Sequence, residues 1–151
     1  MHDSVTVHME ASPEEVWAVL SDVTRIGELS PETFEAEWLD GATGPAPGAR
    51  FRGHVKRNGR GPTYWTKCQV TDSVPGRSFA FDVLGPGERK VNSWRYDLAA
   101  ADGGTDVTES FRLADNVFTK AYWAIAGSRR NRTNLDGMRA TLERAKAIVE
   151  G

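Results

Sequence analysis

Glu109 is the polar residue best placed to do chemistry. It alternates with Val107 and Phe111 within Thr105 to Leu113, so the period of two that buries those neighbours carries its carboxyl to the same face. A carboxyl taken out of water keeps its proton to higher pH, which suits it to general acid/base work or to holding a ligand hydroxyl. Two arrangements would remove that role: a bulge that turns the residue outward, or neutralisation by an arginine such as Arg95 or Arg112. The histidines do not form a metal set. His2 is terminal, while His8 and His54 alternate with apolar residues and are expected at solvent or at a cavity edge. Cys68 is the single cysteine and reads as a small buried apolar residue. With no His-x-x-x-His or Cys-x-x-Cys spacing, nucleophile elbow, phosphate loop or dinucleotide fingerprint, neither metal nor cofactor is expected.

The chain that must position these groups has 151 residues, 39% of them hydrophobic, enough for one domain over residues 1–151 to bury a core without a disulfide or a metal. Its 19 Lys and Arg against 21 Asp and Glu argue against nucleic acid as a partner. The charge is uneven. Arg129, Arg130, Arg132, Arg139, Arg144 and Lys146 outnumber Asp136, Glu143 and Glu150 after residue 128, which reads as a solvated helix face or as a surface for a partner. No apolar run reaches membrane-spanning length and Met-His-Asp-Ser-Val is unlike a signal peptide, so the expectation is a cytoplasmic protein, monomer or homodimer, without integral membrane association. Five tryptophans are many for this size and call for a role.

Ser4 to Glu10 alternates as a half-buried strand and stops at Ser12-Pro13. Ser12, Pro13 and Glu15 then announce a helix through a capping serine, a proline in the first turn and a capping-box glutamate. Val16, Trp17, Leu20 and Val23 form its apolar stripe, with room for one further turn before Ser30-Pro31. Six more strand patterns follow: Phe34 to Leu39, Ala49 to Arg57, Thr63 to Thr71, Ser78 to Leu84, Lys90 to Ala99, and Thr105 to Leu113. The breaks between them are rich in glycine, proline and aspartate and too short for a crossover helix, so the strands must pair antiparallel. Leu135, Met138, Leu142, Ala145 and Val149 define a long amphipathic C-terminal helix, preceded by a helical segment with Phe118, Tyr122 and Trp123 and a kink or break at Gly127-Ser128.

This order, together with Ala11-Ser12-Pro13-Glu14-Glu15-Val16-Trp17, the stretch Trp65 to Phe81, Trp94-Arg95-Tyr96, Gly103-Gly104-Thr105-Asp106-Val107-Thr108-Glu109 and Met138 to Arg144, resembles the START-like helix-grip (SRPBCC) superfamily, in particular its polyketide cyclase/dehydrase and lipid transport branch. The resemblance implies an α+β fold in which a curved antiparallel sheet of six to seven strands wraps a long C-terminal helix, with short helices after the first strand. It also implies a hydrophobic cavity between them for a lipid, polyketide or aromatic metabolite.

Strand alternation places Phe34, Ala36 and Trp38; Phe51, Gly53 and Val55; Tyr64, Thr66, Cys68 and Val70; Phe79, Phe81 and Val83; Trp94, Tyr96 and Leu98; and Val107, Glu109 and Phe111 on the concave face. The helices add Leu135, Met138 and Leu142, with Phe118, Tyr122 and Trp123 near the cavity mouth. Trp17 belongs to the first helix, and Trp65 is out of phase and expected outside or at an edge. From this set the ligand-binding expectation names Trp38, Phe51, Tyr64, Phe79, Phe81, Trp94, Tyr96, Glu109, Phe111, Phe118, Tyr122, Trp123, Leu135 and Met138. Binding of an apolar small molecule is the leading reading, because no complete catalytic set is visible. The alternative is a polyketide aromatase/cyclase or dehydrase in which Glu109, Tyr96, Tyr64 or His54 directs aldol closure or water loss.

Overall fold

Alternating apolar and polar residues build most of the molecule. The computed structural model describes residues 2–56, 62–114 and 117–151, and the side chains of 3–56, 62–114 and 134–151. Among these the order is β1 (His2–Met9), α1 (Pro13–Leu20), a 3₁₀ segment (Val23–Glu28), β2 (Thr33–Trp38), β3 (Arg50–Val55), β4 (Tyr64–Val74), β5 (Ser78–Leu84), a 3₁₀ turn (Pro86–Glu88), β6 (Lys90–Ala101), β7 (Gly104–Leu113) and α2 (Val117–Glu150). The strands form one seven-stranded antiparallel sheet in the order β1-β7-β6-β5-β4-β3-β2. The helix-grip expectation holds, with seven strands.

Local chemistry explains the joints. Ser12 accepts the Glu15 N–H at 3.2 Å and Pro13 opens α1, where its missing donor costs nothing. Ala101 and Gly104 pair across a two-residue loop in which Asp102 (φ 48) and Gly103 (φ 78) both take positive φ, the Asp-Gly hairpin whose twist matches that of its strands. Gly104 is needed for closeness instead: a Cβ there would run into the Met9 carbonyl. Gly104→Ala is expected to cost about 2 kcal/mol through overpacking, read as a shift in urea midpoint; an unchanged midpoint would show that β1 can move aside.

The apolar faces meet in a core of Met9, Val16, Val70, Phe79, Val107, Met138, Leu142 and Ala145, all nearly inaccessible. Two lysine and arginine side chains of the C-terminal helix fasten it: Lys146 Nζ donates to the His8 carbonyl and Arg144 Nη1 to the Leu29 carbonyl, each at 3.0 Å. Trp17 Nε1 donates to the Ser78 carbonyl at 2.8 Å and ties α1 to β5.

Three expectations need correction. No break interrupts α2 at Gly127-Ser128; the backbone is helical from Val117 to Glu150. One interior glycine costs only about 1 kcal/mol relative to alanine, too little to end a helix of this length. A register shift between Thr33 and Glu35 turns Phe34 out of the concave face, where it is 45% exposed with its ring 4.4 Å from that of His54. A second shift, between Val70 and Asp72, carries β4 three residues past its expected end while breaking the alternation that would have shown it.

Candidate functional site

Between the concave face of the sheet and α2 lies a cavity of about 190 Å³. Its floor is built by β3 to β7, with Phe51, Gly53 and Val55, then Thr66 and Cys68, then Phe81 and Val83, then Asn92, Trp94 and Tyr96, and finally Glu109. Asn134, Gly137, Met138 and Thr141 of α2 form its roof. Ile26, Ser30, Pro31, Glu32 and Thr33, with the half-exposed Tyr64, complete the lining. Edge-to-face packing of Phe51 against Phe81 at 5.1 Å, and Trp94 tilted on Phe111 at 4.8 Å, stiffens the aromatic wall.

Glu109 is 4% exposed and stands directly across from Tyr96 on β6 and from Val5 on β1. Burial pushes its carboxyl up to about 8, and a hydrogen bond from the Tyr96 hydroxyl only partly opposes this. The same burial, with the nearby carboxyl, holds the Tyr96 phenol well above its ordinary value. At neutral pH both groups keep their protons, so the apolar cavity contains a carboxylic acid and a phenol instead of charges. Neither expected escape route operates. Arg95 is engaged on the outer face by Asp72 and Asp97, at 3.0 and 2.9 Å, while Arg112 is exposed.

Three buried polar atoms of the cavity lining have no hydrogen-bond partner: Glu109 Oε1, Asn92 Oδ1 and Asn134 Nδ2. Cys68 is inert by contrast, its thiol pushed up to about 12 by burial.

Of the expected site residues, the cavity brings together Phe51, Tyr64, Phe81, Trp94, Tyr96, Glu109 and Met138. Trp38, Phe79 and Phe111 share the concave face but pack behind the wall. Leu135 is 36% exposed and lies outside the lining, because α2 turns the flank carrying Asn134 and Thr141 toward the sheet. Phe118, Tyr122 and Trp123 lie outside the described side chains. His54 does not reach the cavity. It stacks on Trp65 at 4.2 Å with Nδ1 2.8 Å from Glu35, and Arg52 caps the tryptophan at 4.1 Å. Sequence reading passed over Asn92 and Asn134. Asn92 is nonetheless in phase with Trp94 and Tyr96, and Asn134 stands one helical turn before Met138.

A larger hollow, about 350 Å³, lies on the outer face of the sheet. Three of its four charged residues are held in ion pairs, Lys90 with Asp82 inside it and Arg95 with Asp72 beside it, so the inner cavity is the stronger site despite its smaller volume.

Among the described residues no helix is long and apolar enough to cross a membrane. Similar solved structures include protein Ms6760 from Mycobacterium smegmatis (18% identity, 99% of this chain and 90% of that one, TM-score 0.69). The Polyketide_cyc-like protein Cgl2372 from Corynebacterium glutamicum is 26% identical over 98% of this chain and 88% of its own, with a TM-score of 0.61. Protein NE0264 from Nitrosomonas europaea superposes at a TM-score of 0.70 with 12% identity, over 99% of this chain and 94% of its own. No curated protein matches the chain in sequence. Residues 2–143 match the family model described as polyketide cyclase / dehydrase and lipid transport, and the chain belongs to that family within the START-like helix-grip superfamily.

Proposed function

We propose that the protein binds a compact, largely apolar small molecule in the cavity between the sheet and α2. The observation that carries this reading is the meeting of an aromatic wall with three buried, unpartnered polar atoms. Hydrocarbon at those positions would serve stability better, since each unsatisfied buried group costs about 1–3 kcal/mol. The family and its fold support a ligand with an apolar body. Size narrows it. The cavity of about 190 Å³ exceeds the roughly 150 Å³ that accepts benzene and falls below the ~300–1,000 Å³ of drug-sized sites, which favours one- or two-ring compounds over a long polyketide chain or a diacyl lipid. Titration with 4-ethyltoluene, indole and naphthalene is expected to shift the Met138 methyl resonance and quench Trp94 fluorescence; signals that none of the three moves would overturn the reading.

A second reading is favoured by the protonated Glu109 beside Tyr96: the acid donates to a ketone oxygen during aldol closure, or to a departing hydroxyl during dehydration. Such chemistry also needs a base to take a proton from carbon. The Tyr96 phenol, held protonated, is a poor one, so binding stands ahead.

A further inference from the structure

The unsatisfied atoms of the cavity differ in chemistry and in depth. Glu109 is protonated at neutral pH and offers a donor, which calls for a carbonyl oxygen. Asn92 offers its Oδ1 as acceptor and Asn134 its Nδ2 as donor, and a hydroxyl can give to the first and take from the second.

Spacing follows from the register. Glu109 pairs with Tyr96, and Asn92 precedes Tyr96 by four residues on β6, so the two levels stand roughly 13 Å apart at about 3.3 Å per residue. Hydrogen bonds of about 2.9 Å at each end leave some 7 Å between ligand oxygens, close to the separation of the hydroxyl and carbonyl oxygens of a para-hydroxyaryl ketone. Trp94, midway between the two levels, presents an aromatic surface to that ring. The cavity volume also suits one ring with two small substituents.

Resting on the binding reading above, we propose that the ligand is a neutral single-ring phenol carrying a carbonyl group para to its hydroxyl, seated with the carbonyl on Glu109 and the hydroxyl at Asn92 and Asn134. The hydrophobic term is common to any apolar ring, and the two ends supply selectivity.

The test uses four compounds of closely similar shape, 4′-hydroxyacetophenone, 4′-methylacetophenone, 4-ethylphenol and 4-ethyltoluene, titrated calorimetrically into the wild-type protein at pH 6, where both the probe phenols and Glu109 are protonated. The hydroxyketone is expected to bind tightest, with each missing oxygen weakening binding about fivefold to tenfold, the equivalent of one hydrogen bond. Glu109→Leu should erase the advantage of 4′-methylacetophenone over 4-ethyltoluene and leave that of 4-ethylphenol. Asn92→Leu should do the reverse, and Glu109→Gln, which keeps an N–H donor, should retain the ketone preference. If 4-ethyltoluene binds as tightly as the hydroxyketone, the two-ended recognition is wrong and the binding reading survives. Loss of affinity for all four compounds alike in the leucine variants also counts against it. If none of the four binds the wild-type protein, the binding reading falls and takes this inference with it.

Discussion

Glu109→Gln is expected to flatten the dependence of stability on pH and to make the protein more stable than wild type at pH 9. In the folded chain Glu109 holds its proton up to about pH 8, whereas an unfolded glutamate releases it near 4.5. The folded state therefore binds more protons between those values, and stability is greatest below 4.5 and falls as pH rises through the window. The loss is on the order of a few kcal/mol. The titratable neighbours do not obscure it. Tyr96 faces Glu109 from β6 and stays protonated across the window, as does Cys68 on the cavity floor, and β1 presents Val5 opposite the carboxyl. Glu32 sits among the residues that complete the lining and is common to both proteins. Urea denaturation at pH 5 and pH 9 reads the difference. Parallel pH profiles for the variant and the wild type would mean that the carboxyl is not held in a dry site.

Phe51→Ala is expected to cost about 3–4 kcal/mol, the range for a phenylalanine removed from a packed interior. Phe51 is 1% exposed and its ring is gripped edge-on by Trp38 at 5.7 Å and by Phe81 at 5.1 Å. It also lines the cavity, so truncation enlarges a space that already exists, and little collapse can offset the loss. Phe51→Leu keeps most of the volume and should cost roughly half as much or less. Chemical denaturation gives both numbers. A penalty below about 1 kcal/mol for the alanine variant would show that the wall yields, and that the cavity is a soft interior instead of a built one.

Much of this was written in residue order. Period-two alternation located each strand, because one face of the sheet is buried and the other wet. Glu109 was visible for the same reason: a carboxylate in phase with Val107 and Phe111 has nowhere else to point. What stayed hidden depends on interactions that alternation does not encode. The shift at Thr33 and Glu35 moves one aromatic, Phe34, to the opposite face without altering composition. On α2 the apolar stripe favoured Leu135, yet the face turned to the sheet is set by Met138 and Ala145 and includes the polar Asn134 and Thr141. An apolar pattern on that face, and on β6, does not reveal the unpartnered polar atoms of Asn134 and Asn92 in the cavity lining. His54, a catalytic candidate from the sequence, lies away from the cavity, and its stack on Trp65 and its contact with Phe34 depend on the β2–β3–β4 register, which puts Glu35, His54 and Trp65 side by side.

The pairing of β1 with β7 joins residues about a hundred positions apart, His2 with Arg112 and Met9 with Thr105. At about 5–20 residues per second, a ribosome exposes β1 for some 5–20 seconds before its strand partner exists. The meander from β2 to β6 can pair hairpin by hairpin during that interval, whereas Val5, Val7 and Met9 remain an uncovered apolar edge until β7 and α2 emerge. The order of the sheet thus leaves β1 waiting for a partner made about a hundred residues later, and it is there that a nascent chain would need protection from other sticky strands.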